Sequence, residues 1–308
     1  MARVKIILNP ASGRGLGEKV AGQIEGKLRG YGLDYSLTRT ERPWHAADLA
    51  RQAVADGFEV VVAAGGDGTA NEVLNGLMWA KRAGLGEATM AVICVGSGND
   101  FAYGVNIPTV VEVGCEVLAQ NHRRRIDVGL VSGGLYPEGR YFGNGIGIGF
   151  DAAVGFVAAK FKRFHGFLAY FVAALETIFL YYRAPLVRLD YNSQSATLPA
   201  LMVSVMNGRR MGGGFMMAPE AQSNDGLFDL CIARQVSQLK ILAMIPRFLQ
   251  GTQASDPAIK TDRTQNLVVT ALEGVLPAHA DGETLCTEGK ELKVELLPQV
   301  QEIICTPR

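Results

Sequence analysis

One carboxylate stands out by the company it keeps. Asp67 sits within Gly65-Gly66-Asp67-Gly68-Thr69, followed by Ala70, Asn71 and Glu72. Glycines flanking an acid let backbone N–H groups close on phosphate oxygens, and a helix N-terminus behind them adds a favourable dipole. Asp67 itself repels a bare phosphate, so its presence there implies Mg²⁺, bound directly or through water. Three further segments share this texture: Asn9-Pro10-Ala11-Ser12-Gly13, Thr38-Arg39-Thr40, and Gly96-Ser97-Gly98-Asn99-Asp100. Ser12, Thr40, Thr69 and Ser97 add hydroxyl donors without bulk. Any one of these loops reads most cheaply as a tight turn; together they describe a phosphate site. No Gly-x4-Gly-Lys-Ser/Thr stretch occurs, which excludes a P-loop. Residues 143–149 (GNGIGIG) mimic a dinucleotide fingerprint, but no βαβ unit follows, so they read as close strand packing.

Such loops need a sheet to hold them at one edge. Strand-like runs at Val4 to Leu8, Tyr35 to Thr38, Val60 to Ala64 and Met90 to Val95 alternate with helical spacing at 16–29, 45–56 and 70–83. A further helix at 110–119 leads to a strand at 126–131. This alternation predicts a parallel sheet with helices on both faces, its loops emerging together at the carboxyl edge. Beyond about Asp127 the texture changes to short apolar segments separated by Gly, Asn and Asp, which suits antiparallel β structure. The expected division is an α/β nucleotide-binding domain over 1–125 and a β-rich domain over 126–308, with the last strand free to return to the first domain. One apolar segment, Gly166 to Tyr182, is slightly short for a membrane span and carries Glu176; with the residues before it, Phe161 to Tyr182 reads as a lipid-facing or pocket-lining helix.

Thirty Lys and Arg balance thirty Asp and Glu, so nothing supports a broad electrostatic claim on nucleic acid. Apolar residues make up 48% and charged ones 19%, enough to bury a sizeable core. The five cysteines (Cys94, Cys115, Cys231, Cys286, Cys305) form no metal-spaced pair. Their dispersal, with the strand-like start at Val4, reads as a reduced cytoplasmic protein without a signal peptide.

In order along the chain, NPASG, GGDGTANEVLNGL, GSGNDFA, RRIDVG, PEAQSNDGLFDL and ADGE resemble the motifs of the diacylglycerol kinase catalytic-domain family, which includes sphingosine and ceramide kinases. The match is to its soluble bacterial branch. GGDGT alone is shared with NAD kinases; the ordered set is much more specific. The resemblance implies a kinase of the NAD kinase and diacylglycerol kinase type: a parallel α/β domain followed by a sandwich-like β-rich one. It further implies an ATP-dependent transfer of the γ-phosphoryl group to a lipid hydroxyl, with Mg²⁺, on a protein peripherally bound to membrane. The implied nucleotide residues are Asn9, Pro10, Ala11, Ser12, Gly13, Thr40, Gly66, Asp67, Gly68, Thr69, Ala70, Asn71, Glu72 and Ser97. Asp67 and Asp127 would organise nucleotide and magnesium, and Glu283 would be the general base. A structural magnesium in the second domain would use Asp225 and the carbonyl of Leu227, although Gln222 stands where bacterial relatives often have an acid. Without the resemblance Glu283 is a solvated turn residue and Asn224-Asp225-Gly226 a hairpin turn. A homodimer stays open. The competing readings are a soluble NAD kinase and a catalytically silent lipid- or nucleotide-binding regulator.

Overall fold

A computed structural model describes residues 2–158, 172, 176–178 and 184–307. The chain divides into two compact units, Met1–Asp127 with Gln299–Arg308, and Val128–Pro298.

The first unit is built on four parallel strands, β1 (Val4–Leu8), β2 (Tyr35–Arg39), β3 (Val60–Gly65) and β4 (Thr89–Cys94), in the order β2-β1-β3-β4. Their β-branched and small residues suit strands covered on both faces. Val4, Ile6, Leu8, Val62 and Ile93 pack with Ile24 and Leu28 of α1 (Ser12–Gly30) and Cys115 and Leu118 of α5 (Val111–Gln120). Helices α2 (His45–Ala55) and α3 (Asp67–Arg82) pack together and against β3. They cross so closely that a side chain at Gly76 would strike the Ala47 carbonyl. A short α4 (Asp100–Gly104) follows the fourth loop.

Two strands carry residues of both units. β5 (Arg123–Gly133) begins in the first, and β15 (Glu291–Ile304) ends there, with Ile303 opposite Met90 in parallel. Lys81 Nζ donates to the Val300 carbonyl at 3.0 Å, and Thr89 Oγ1 donates to Glu302 Oε2 at 2.6 Å.

The second unit is antiparallel. Its strands are β6 (Tyr136–Phe142), β7 (Gly145–Gly149), β8 (Leu186–Tyr191), β9 (Gln194–Met206), β10 (Phe228–Arg234), β11 (Ile259–Thr264), β12 (Asn266–Glu273), β13 (Leu276–Ala280) and β14 (Glu283–Gly289). One layer runs β11-β10-β9-β7-β13-β14; the other runs through β8, β12, β15, β5 and β6. The long β9 serves both, pairing first with β8 and then with β7 and β10. Between the layers lies a dry core that includes Phe142, Phe228, Val205, Leu230, Val269 and Leu292. A second cluster gathers Met202, Met211, Met217 and Cys231 with Ile241 of α7 (Gln238–Gln250). Helix α6 (Phe150–Ala158) packs on β7 and β13.

The alternating glycines of residues 143–149 do serve close packing. Side chains at Gly145 and Gly147 would meet Met206 and the Asp151–His279 pair, and Gly149 is left-handed at φ 89°. The apolar segment expected over Phe161 to Tyr182 lies almost wholly outside the described residues. No helix among the described residues is long and apolar enough to cross a membrane.

Candidate active site

In the first unit three of the four small-residue loops are interlocked by backbone contacts. Asn9 ends β1: its N–H donates to the Ala64 carbonyl at 2.9 Å, its Nδ2 to Thr69 Oγ1 at 3.0 Å, and its Oδ1 accepts the Ala11 N–H at 3.0 Å. Pro10 and Ala11 then lead into α1, whose first residues are irregular. Gly13, Arg14 and Gly15 take left-handed values (φ 56°, 63° and 82°) before the regular helix starts. A side chain at Gly13 would collide with the Val95 carbonyl, so this loop lies on the end of β4. Gly66 and Gly96 face each other just as closely, where a Cβ on Gly66 would be 3.1 Å from the Gly96 Cα. At the loop after β2, the Thr40 N–H continues the sheet by donating to the Leu8 carbonyl at 2.8 Å.

Asp67 is half-buried at the start of α3, and its Oδ1 accepts the Phe101 N–H at 3.0 Å. Its Oδ2 flanks Gly98, where a Cβ would stand 2.9 Å away. A side chain there would crowd the carboxylate, so glycine is what lets the two approach. That cradle fits Mg²⁺, which is usually held by one or two carboxylates plus substrate phosphates. Gly68 lies beside Asp67, Thr69 and Ala70 are buried, and Ser97 is exposed. Asn71 is buried in α3, and Glu72 Oε2 accepts the Ala46 N–H at 3.1 Å, capping α2. Asp127 is fully buried, and its Oδ1 accepts the Gln299 N–H at 2.7 Å, which holds the returning end of β15.

In the second unit Glu283 opens β14 directly after a two-residue turn. Asp281 (φ 48°) and Gly282 (φ 85°) both take positive φ, the requirement of the tight turn that matches strand twist. Glu283 is exposed, and its side chain makes no hydrogen bond or ion pair among the described residues. Asp281 is the reverse: buried, it accepts N–H groups from Gly143 (2.8 Å), Asn144 (3.0 Å) and Gly145 (2.9 Å). The Asn144 carbonyl in turn accepts from Asn207 and Gly208, both at 2.8 Å, and Asn144 Nδ2 donates to the Arg210 carbonyl at 3.0 Å. The Gly-rich 208–214 loop is therefore tied to the Asp281 turn. Sequence reading missed this clasp, because the amides that Asp281 accepts lie at 143–145, far away along the chain.

Asp225 stands in a turn, but no strand precedes it, so the turn leads into β10 rather than closing a hairpin. Its Oδ1 accepts the Leu227 N–H at 3.2 Å, and its Oδ2 lies 3.5 Å from Arg263 Nη1. Arg263 Nε also donates to Asp229 Oδ1 at 3.0 Å. Burial pushes the Asp229 carboxyl above its usual range, opposed by Arg263. Arg263 therefore answers these acids from within the protein. No group of three or more His, Cys, Asp or Glu able to hold an ion occurs among the described residues. Asp225 and Leu227 alone do not make a cation cradle.

Beside α7 lies an apolar cavity of about 90 Å³ that opens to solvent. Val154, Leu201, Met211, Phe215, Met244 and Phe248 help to wall it, and among the described lining residues only Asp151 and Arg234 are charged. The thiols offer no nucleophile: burial pushes Cys115 up to about 11 and Cys231 to about 12.

A parallel α/β unit with glycine loops at its carboxyl edge, followed by a β-sandwich, defines a phosphotransferase of the NAD kinase-like type. Residues 3–131 match the diacylglycerol kinase catalytic domain, and residues 144–305 match the YegS C-terminal NAD kinase beta sandwich-like domain. A diacylglycerol kinase of Bacillus subtilis (strain 168) is 30% identical over 285 residues, 92% of this chain and 90% of that protein. One from Mycobacterium tuberculosis (strain ATCC 25618 / H37Rv) is 26% identical over 287 residues, 93% of this chain and 90% of its own length. In fold, the chain is similar to the crystal structure of a diacylglycerol kinase from Bacillus anthracis str. Sterne (TM-score 0.75, 20% identity, 99% and 97% covered). It is also similar to yeast NADH kinase (TM-score 0.53, 11% identity, 100% and 84% covered). The chain belongs to the diacylglycerol kinase catalytic-domain family. It is a lipid kinase, a phosphotransferase with an alcohol acceptor.

Proposed function

We propose that this kinase transfers the γ-phosphoryl group of ATP to the hydroxyl of diacylglycerol or a closely related lipid. The observation that carries the lipid reading is the apolar cavity walled by α7: it offers aliphatic and thioether surface to an acyl chain and nothing to a water-soluble dinucleotide. The NPASG, GGDGT and GSGND loops supply backbone N–H groups and the hydroxyls of Ser12, Thr69 and Ser97 to the phosphates, with Thr40 beside them. Mg²⁺, when bound, neutralises phosphate charge, and Asp67 at the start of α3 would hold it. Glu283 accepts the proton of the lipid hydroxyl as that oxygen attacks phosphorus. Asp127, through its bond from the Gln299 N–H, holds the returning end of β15 beside β4.

We further assign the protein to the membrane surface as a peripheral enzyme, since its acceptor is insoluble. The experiment for the nucleotide half is Asp67→Ala, assayed for ATP-dependent lipid phosphorylation. Turnover should fall by at least about 10³-fold, the scale of losing a preorganised electrostatic group. Losing the carboxylate's hold on the Phe101 N–H should cost about 1–3 kcal/mol of stability. Parent-like turnover would remove Asp67 from the site.

A further inference from the structure

One polar pair in the second unit is used by none of the steps above. β13 carries His279, 2% exposed, and the first turn of α6 carries Asp151, 11% exposed. His279 Nδ1 faces the Gly282 N–H at 3.4 Å, and Nε2 lies 3.8 Å from Asp151 Oδ1. A ring nitrogen that accepts leaves the other as the N–H, so Nδ1 receives the Gly282 amide and Nε2–H is aimed at the carboxylate. Nε2 has no partner within hydrogen-bonding distance among the described residues, so the Asp151 charge is what holds it in place. The Ser204 hydroxyl steadies the other carboxylate oxygen at 3.4 Å. Gly147 makes the meeting sterically possible: a Cβ there would lie 2.6 Å from His279 Nε2 and collide with Asp151 Oδ2.

Each end of this pair has a neighbour of consequence. Asp151 lines the apolar cavity, and Gly282 immediately precedes Glu283. The Asp281 clasp fixes the entry of the turn, whereas His279 is the side chain that reaches its exit. We propose that His279 is a positioning residue for Glu283, holding the turn through Nδ1 while Asp151 holds the ring from the cavity wall. The proposal rests on the reading of Glu283 as the base.

The test measures kcat and KM for ATP and for diacylglycerol in mixed micelles, with thermal melting of every variant. His279→Ala should lower kcat by about 10-fold or more, within the range a misplaced catalytic group produces, and leave KM for ATP nearly unchanged. His279→Asn places an oxygen near the Nδ1 position and should recover most of the rate. His279→Gln keeps only the reach toward Asp151 and should not. In a Glu283→Gln background His279→Ala should cost little more, because the group it positions can no longer take the proton. If His279→Ala fails to fold, the Asn and Gln variants carry the same comparison. Equal losses in the Asn and Gln variants, or an undiminished His279 effect in a slow Glu283→Gln enzyme, would overturn this proposal alone. A Glu283→Gln enzyme with parent kcat would bring down the base reading and this proposal with it.

Discussion

Asp281 and Glu283 are two residues apart, yet the fold treats them in opposite ways. Asp281 spends its carboxylate on three backbone amides of residues 143–145, while Glu283 leaves its own exposed. This separates the structural acid from the one we propose as the base. Asp281→Ala should destabilise the second unit by about 3 kcal/mol or more, because each orphaned buried amide costs about 1–3 kcal/mol. Glu283→Gln should leave urea unfolding unchanged and lower kcat by at least about 10²-fold, the usual worth of a general base. Parallel unfolding and kinetic measurements on the two variants check both statements. A stable, slow Asp281→Ala protein beside a fast Glu283→Gln protein would exchange the roles. Both residues were visible in the ADGE motif, but their employment was not. The partners of Asp281 lie more than a hundred residues away in sequence, and no local pattern announces them.

Among the elements, β15 shows how far local pattern reaches. Its apolar run from Leu292 marked a strand, and its final residues enter the first unit, where Ile303, Ile304 and Cys305 are buried. Ile303→Ala should destabilise the first unit by about 2–4 kcal/mol through the lost methyl groups and the cavity left behind. Chemical unfolding checks this, and a loss below about 0.5 kcal/mol would mean that the returning strand does not hold the unit. The parallel strands β1, β3 and β4 were legible because both their faces are buried and their runs are continuous. β11, with the sequence IKTDRT, was not legible: it is an edge strand whose polar residues carry no run. The left-handed Gly13-Arg14-Gly15 start of α1 was likewise hidden, since the sequence shows glycines but not that they fold onto β4. The apolar segment around Phe161 to Tyr182, together with the 79% exposed Leu239 of α7, motivates the membrane assignment. Purified protein should float with vesicles of phosphatidylglycerol and diacylglycerol. Protein that stays at the bottom of the gradient would contradict peripheral binding.

For the molecule as a whole, the ordered motifs carried both fold class and chemistry, because each loop motif sits at the end of a strand that the same sequence makes recognisable. The loop contacts, such as Asn9 on Thr69 and Gly66 against Gly96, explain why those residue types are needed together. The cavity beside α7 had no such signature: methionines, phenylalanines and isoleucines on α7 and around β9 and β10 look like ordinary core until the fold leaves space between them. The central claim is that this chain phosphorylates a lipid at the expense of ATP. The most direct measurement supplies ATP labelled in its γ-phosphate with Mg²⁺ and, in separate mixed-micelle reactions, diacylglycerol, ceramide, a sphingoid base and phosphatidylglycerol, with NAD⁺ as a soluble acceptor. Product mass identifies what was made. Label is expected in a lipid phosphomonoester, with diacylglycerol the best acceptor, reduced about 10³-fold by Asp67→Ala and strongly slowed by Glu283→Gln. Label appearing in NADP⁺ and in no lipid would contradict it.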